Sequence, residues 1–338
     1  MRRISGTIDA GVVVAARRLI EQSLAVVRGE NVVLVYDRAH EDIGAIIGDA
    51  VVNASATPVS FRLEDLGPRP HAQLAASIRN AIGSAQASVL LVDFHGGELD
   101  MRTSIVHYAS QHGLRHGHMV GVSRTSMIAG FSVDPYRISE KMRAILTRLK
   151  PGGKLVVRSD AGTALTVTLG LTMRWIEYGS VVGPGKRVNL PGGELVTSPA
   201  SVDGVYVADG TLGDADGALM RRLADTPMSV RIEKGRVMAI ECPREPSLAD
   251  AVMRRIRRIN DLDRVGLFNF GVNLGLSEPV GEIFTDQKLP GAHISLGTTF
   301  PEKTGATWDC PSWVGFTSRS CDVDHDKLAI LRRGHYLV

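Results

Sequence analysis

The sequence predicts an α/β domain on a mostly parallel sheet, followed by a β-rich α+β domain. Two observations carry this. Up to residue 149, segments with apolar residues at helical spacing alternate with continuous apolar runs of strand length. After Lys150-Pro151-Gly152-Gly153 the chain changes to short β-rich runs separated by turn residues. A third sets the scale: 338 residues, 44% of them apolar and 22% charged, suit two soluble globular domains and exclude disorder, collagen and coiled coil. The expected division is 1–150 for the α/β domain and 151–338 for the β-rich one.

Residues 9–28 have helical periodicity, and Gly29-Glu30 leads into Asn31-Val-Val-Leu-Val-Tyr36, apolar on both faces. The alternation continues with helices near 40–52, 71–85, 101–112 and 137–149, and strands at 57–61, 88–93 and 118–122. In the second half, strands are expected around Val156 and at 163–169, 187–190, 205–207, 229–232 and 237–240, with Glu233-Lys234-Gly235-Arg236 as a hairpin turn. A helix is expected between Ser247 and Asn260, with Ser247 as its cap.

Lys and Arg number 39 against 36 Asp and Glu, and the net charge of +3 is dispersed, so nucleic acid is not an expected partner. No apolar stretch reaches the 18 to 20 residues of a membrane span, and no anchor or signal peptide is expected. Cys242, Cys310 and Cys321 are an odd number without CxxC spacing, which suits free thiols in a reducing, cytoplasmic compartment. After the first strand stands Tyr36-Asp37-Arg38-Ala39-His40, not a glycine-rich phosphate loop, so no nucleotide cofactor is expected. His112, His116 and His118 cluster with Arg115 at a helix-to-strand joint, where a solvated loop is the expected reading ahead of a metal site.

Two stretches of the second half carry chemistry. One is Asn189-Leu-Pro-Gly-Gly-Glu194-Leu-Val-Thr-Ser-Pro199, followed by Gly204. The other runs through Gly271-Val-Asn273, Gly281, Asp286-Gln-Lys288, Gly291-Ala-His293-Ile-Ser-Leu-Gly297 and Ser320-Cys-Asp-Val-Asp324 to Gly334. In order and spacing these resemble the thermophilic-type metallo-aminopeptidases, the aminopeptidase T and S family. The resemblance implies an α/β N-terminal domain, a β-rich C-terminal domain with a two-metal site, and a homodimer that encloses a cavity.

Carried over position by position, the resemblance implies metal-binding roles for Glu194, His293 and Asp324. It also places Leu267 where the family has its second glutamate, Phe300 where it has a tyrosine, and Asp322 where it has a histidine. Two-metal peptide hydrolysis needs a clamp on both the attacking water and the carbonyl oxygen, together with a base. Leu267 supplies neither, and Phe300 lacks the hydroxyl that would steady an oxyanion. Aminopeptidase activity is therefore not expected.

The leading expectation is a peptide-binding protein that keeps the fold without the hydrolytic centre and needs no cofactor. It would present a precursor peptide to a modifying enzyme or rearrange it. Its peptide-binding residues would be Glu194, His293, Phe300, Trp308, Trp313, Asp322 and Asp324, with the two tryptophans as an aromatic wall. The alternative is a mononuclear metalloenzyme, an altered hydrolase or a ring-opening dioxygenase, with one Zn, Mn or Fe ion on Glu194, His293, Asp322 and Asp324.

Overall fold

A computed structural model describes residues 9–338. The described residues divide into two compact units, 9–139 with 179–192, and 140–178 with 193–338. In place of the single boundary expected at 150/151, the chain passes between the units at 139/140, 178/179 and 192/193.

The first unit is a parallel sheet with helices on both faces. Its strands β1 (Asn31–Tyr36), β2 (Thr57–Arg62), β3 (Ala87–Val92) and β4 (Arg115–Val120) stand in the order β2-β1-β3-β4, and the Arg187–Asn189 strand adds to β4 in parallel. Period-two alternation divides β1 between two cores. Val32 and Leu34 pack with Val12, Leu19 and Ile47 from α1 (Ala10–Arg18), the π-helical turn after it and α2 (Glu41–Asn53). Val33 and Val35 pack with Ile78 and Ile82 of α3 (Ala76–Ile82) and Met101 and Ile105 of α4 (Leu99–Gln111).

Both faces of the sheet are buried, so its strands read in the sequence as unbroken apolar runs. Two sequence expectations are corrected here. The Arg187–Asn189 strand belongs to this sheet, and its parallel pairing with β4 is a long-range fact that local sequence does not contain. The fourth strand begins at Arg115, so His116 and His118 are buried strand residues, not part of a solvated loop.

The second unit carries two antiparallel sheets. One has eight strands, in spatial order Arg236–Glu241, Met228–Glu233, Ser201–Ala208, Ala164–Thr168, Lys154–Arg158, Asp322–His325, Leu328–Arg332 and His335–Tyr336. The other has seven, in order Arg221–Arg222, Thr211–Asp214, Trp313–Phe316, Gly291–Gly297, Val265–Gly271, Glu194–Thr197 and Ile176–Tyr178. The hairpin turn at 233–236 forms as expected, with Lys234 and Gly235 both at positive φ. The helix near 250 is Pro246–Ile256 with Glu245 at its N-cap position, because Pro246 fills the first helical position ahead of Ser247. No helix among the described residues is long and apolar enough to cross a membrane.

Candidate functional site

The Pro-Gly-Gly-Glu turn places Glu194 at the start of a fully buried strand, opposite Gly271 on one side and Tyr178 on the other. Gly193 holds φ at +113°, which an L side chain resists; its N–H donates to the Tyr178 carbonyl and its carbonyl accepts from Val272 N–H. At Gly271 a Cβ would sit 2.0 Å from the Leu289 carbonyl oxygen, so the second motif also needs its glycine. Burial pushes the Glu194 carboxyl up to about 7, and the positive charge of Lys288 opposes that shift without cancelling it. Lys288 is itself buried and donates through Nζ to the Phe284 carbonyl.

The neighbouring motif residues are builders. Asp286, buried, accepts from Thr211 Oγ1 at 2.5 Å and from the Val280 and Gly281 amides at 2.8 Å, fixing the loop ahead of Lys288.

His293 is fully buried, and both ring nitrogens are engaged. Nε2–H donates to the Leu289 carbonyl at 2.9 Å, and Nδ1 accepts from Ser318 N–H at 3.2 Å. Burial lowers its pKa to about 4, so the ring is neutral. In this structure it holds a core polar site together with both ring nitrogens engaged. Replacing His293 by Leu leaves a buried N–H and a buried carbonyl unpaired, and unfolding in urea should show a loss of about 1–3 kcal/mol for each. A variant as stable as the parent protein would refute this structural role.

Asp322 and Asp324 share the half-buried face of their strand, as expected, but each is already engaged. Asp324 pairs with Arg332 Nη2 and lies 3.4 Å from Arg158 Nη1, while Asp322 accepts from Arg333 N–H at 2.8 Å. His325 faces the other way and accepts from Lys150 N–H. Phe300 sits in the left-handed region at φ +51° with its ring exposed. Trp308 packs under the Arg264 guanidinium at 3.8 Å, and Trp313 packs on Phe284 with ring centroids 5.5 Å apart. Each tryptophan is thus engaged with its own neighbour, Trp308 with Arg264 and Trp313, at the start of its strand, with Phe284.

Among the described residues, the set Glu194, His293, Asp322 and Asp324 does not bring three ligand atoms within 4.8 Å of one another. Asp37, His40 and Asp93 do. They lie at the carboxyl ends of β1 and β3, where the strand order switches direction, the place where open α/β sheets bind ligands. In the sequence, Asp37 and His40 register only as the absence of a glycine loop, so the cluster is missed there. An acidic residue directly after each of two parallel strands was the available signal.

Here Asp37 and His40 are engaged, while the Asp93 carboxylate is exposed, 3.8 Å from His40 Nε2. Asp37 Oδ1 accepts from His40 N–H and holds His40 Nδ1 at 2.6 Å; Oδ2 accepts from Arg69 Nη1 and Asp93 N–H, both at 2.7 Å. The His40 ring also bonds to the Val122 backbone. Arg69 grips Glu98 with Nε at 2.9 Å and Nη2 at 2.6 Å, and Glu98 also accepts from His71 N–H. The three cysteines are free and buried, and burial pushes the Cys321 thiol up to about 12, which leaves it inert as a nucleophile at neutral pH.

A family model described as NicX, 2,5-dihydroxypyridine 5,6-dioxygenase, matches residues 19–272. Among solved structures, the 2,5-dihydroxypyridine dioxygenase from Pseudomonas putida is 16% identical with a TM-score of 0.65, and the match covers 97% of this chain and 96% of that one. AmpT from Thermus thermophilus is 16% identical with a TM-score of 0.64, covering 97% and 99%. Both likenesses establish the fold, including the expected aminopeptidase-type architecture. No curated protein sequence matches the chain.

Proposed function

The chain belongs to the NicX family of 2,5-dihydroxypyridine 5,6-dioxygenases, and from that premise we propose that it acts on a hydroxylated nitrogen-heteroaromatic ring in a ring-opening oxygenation. The family match overturns the leading expectation of a peptide-binding protein that lacks the hydrolytic two-metal centre, and with it the peptide-modification role. The alternative reading, a ring-opening dioxygenase, is the one it favours. The match over about three quarters of the chain carries this proposal, and the full-length likeness to a dioxygenase fold is consistent with it.

The family implies one divalent ion, whose chemistry would be the activation of dioxygen, so an expectation of no cofactor has no support from it. In this structure the acids and the histidine that could hold such an ion are engaged with neighbouring groups, contacts an incoming ion would displace. Non-haem iron oxygenases of the facial-triad type use two histidines and one carboxylate with open positions. Here both His293 nitrogens are engaged, Asp324 is held by two arginines, and Asp37 is held by Arg69 and its own hydrogen bonds.

What the chain's own residues supply is proton handling. Burial pushes the Glu194 carboxyl up to about 7, the range in which a side chain exchanges protons at neutral pH, and we assign it that role toward a ring hydroxyl. The test loads the full chain anaerobically with Fe(II), adds 2,5-dihydroxypyridine, and follows dioxygen uptake, loss of ring absorbance and bound iron separately. Uptake of dioxygen together with loss of the ring is the expected result. Iron-loaded protein that consumes neither would overturn the proposal.

A further inference from the structure

Arg102, in the first turn of α4, is 8% exposed, and its Nε is enclosed with no hydrogen-bond partner among the described residues. Its guanidinium lies 4.9 Å over the Phe94 ring, a contact that occupies a face of the group and leaves its N–H edge uncommitted. Glu98, one turn earlier, is the acid whose charge favours it, but both Glu98 oxygens are committed to Arg69. The groups around Arg102 add positive charge. Arg187 and Arg69 both act to lower its pKa, and Arg187 and Arg102 both act to lower that of His118.

The sheet beneath α4 is polar here, on the same face as the apolar Leu90. Ser88 on β3 and His116 on β4 are paired in register, as are His116 with Arg187 and His118 with Asn189. Ser88 Oγ lies 2.8 Å from His116 Nδ1, and His116 Nε2 lies 3.2 Å from His118 Nδ1. Burial keeps both imidazoles neutral. Arg187 Nη2 donates to Asn189 Oδ1 at 2.5 Å. Buried polar groups are ordinarily paired, and a buried guanidinium beside further cationic groups is costly to leave unpaired.

We propose that Arg102, Arg187 and His118, lying between α4 and the side of the parallel sheet formed by β4 and the Arg187–Asn189 strand, form a binding site for a small carboxylate anion. A carboxylate matches the guanidinium edge in two parallel N–H···O bonds and carries the missing negative charge. An anion at His118 Nε2 selects the tautomers in which Ser88 donates to His116 and His116 donates to His118, so that His118 presents an N–H. The site lies in the α/β unit on residues that the proton handling by Glu194 does not use, and it stands or falls independently of the oxygenase reading.

Calorimetric titration of the full chain with acetate, benzoate and inorganic phosphate at constant ionic strength tests this, alongside R102M and R187Q. The expected result is saturable carboxylate binding in the millimolar range or tighter, at least about tenfold weaker in both variants. Without anion, R102M should melt no lower than the parent protein, since it removes a buried guanidinium whose N–H edge makes no hydrogen bond and keeps an apolar side chain over Phe94. The ring ¹⁵N signals of His118 in the unsubstituted protein should move on adding benzoate. No saturable carboxylate binding, phosphate binding alone, R102M binding as tightly as the parent, R102M melting well below it, or a still His118 signal would each overturn the assignment.

Discussion

Arg69→Ala should unfold the α/β unit at markedly lower urea, with a loss of about 3–5 kcal/mol, because it strips the counter-charge from two buried acids at once. Asp37 is 1% exposed and Glu98 is not exposed at all, and Arg69 bonds both, at 2.7 Å and at 2.6 and 2.9 Å. Neither carboxylate has water to fall back on, so each must remain an unpaired buried charge or take up a proton. Against a typical domain stability of about 5–15 kcal/mol, that loss decides whether the unit stays folded. Arg69→Lys should recover part of it. An ammonium keeps the charge but cannot span two carboxylates in the planar fork that guanidinium provides.

The acid response of this network has a definite sign. Burial would raise the pKa of both acids, and it is outweighed: hydrogen bonds from His40, the Asp93 amide and Arg69 hold Asp37 below its ordinary value, and Arg69 with the His71 amide holds Glu98 down. A lowered carboxylate pKa stabilises the fold above the unfolded value near pH 4, and that contribution is lost as pH falls through the folded value. The parent protein should therefore lose stability below pH 4. The gap between parent and Arg69→Ala should narrow in the same range, since protonated acids no longer need the arginine. A gap that stays constant from pH 7 to pH 3 would sink this account.

The same network shows where sequence reasoning stops. Strand β1 is legible residue by residue from Asn31 to Tyr36 because a strand covered on both faces leaves an unbroken apolar run. The motif around Glu194 is legible because a turn with Gly193 at positive φ and a strand closing on Gly271 admit few residue types. Spacing also places His293 and Asp324 on strands. It does not show that Leu289 and Ser318 use both nitrogens of His293, or that Arg332 and Arg158 approach Asp324, since those partners come from other segments. Arg69 joins Asp37 to Glu98 across intervals of 32 and 29 residues, and no local pattern announces it. Nothing in the sequence around Arg102 distinguishes it from a solvated helix arginine, because its burial comes from the sheet beneath α4.

Glu194→Gln should act in opposite directions on activity and on stability. In the fold the carboxyl pKa is raised by burial to about 7, against an ordinary value of 4.5. Below pH 4.5 the acid is protonated in both folded and unfolded chains and contributes nothing to pH dependence. Between 4.5 and 7 the unfolded chain ionises while the fold keeps its proton, so stability falls as pH rises, by about 3 kcal/mol in all once pH passes 7. Glutamine mimics the neutral form at every pH. The variant should therefore match the parent near pH 4 and exceed it by about 3 kcal/mol at pH 8 to 9 in urea unfolding. If Glu194 exchanges a proton with the ring hydroxyl, the same substitution should cut turnover by about 10²–10⁴-fold and erase the limb of the rate profile near pH 7. Greater stability with unchanged turnover would make Glu194 a strained structural acid, and the proton-handling role would have to pass to another group.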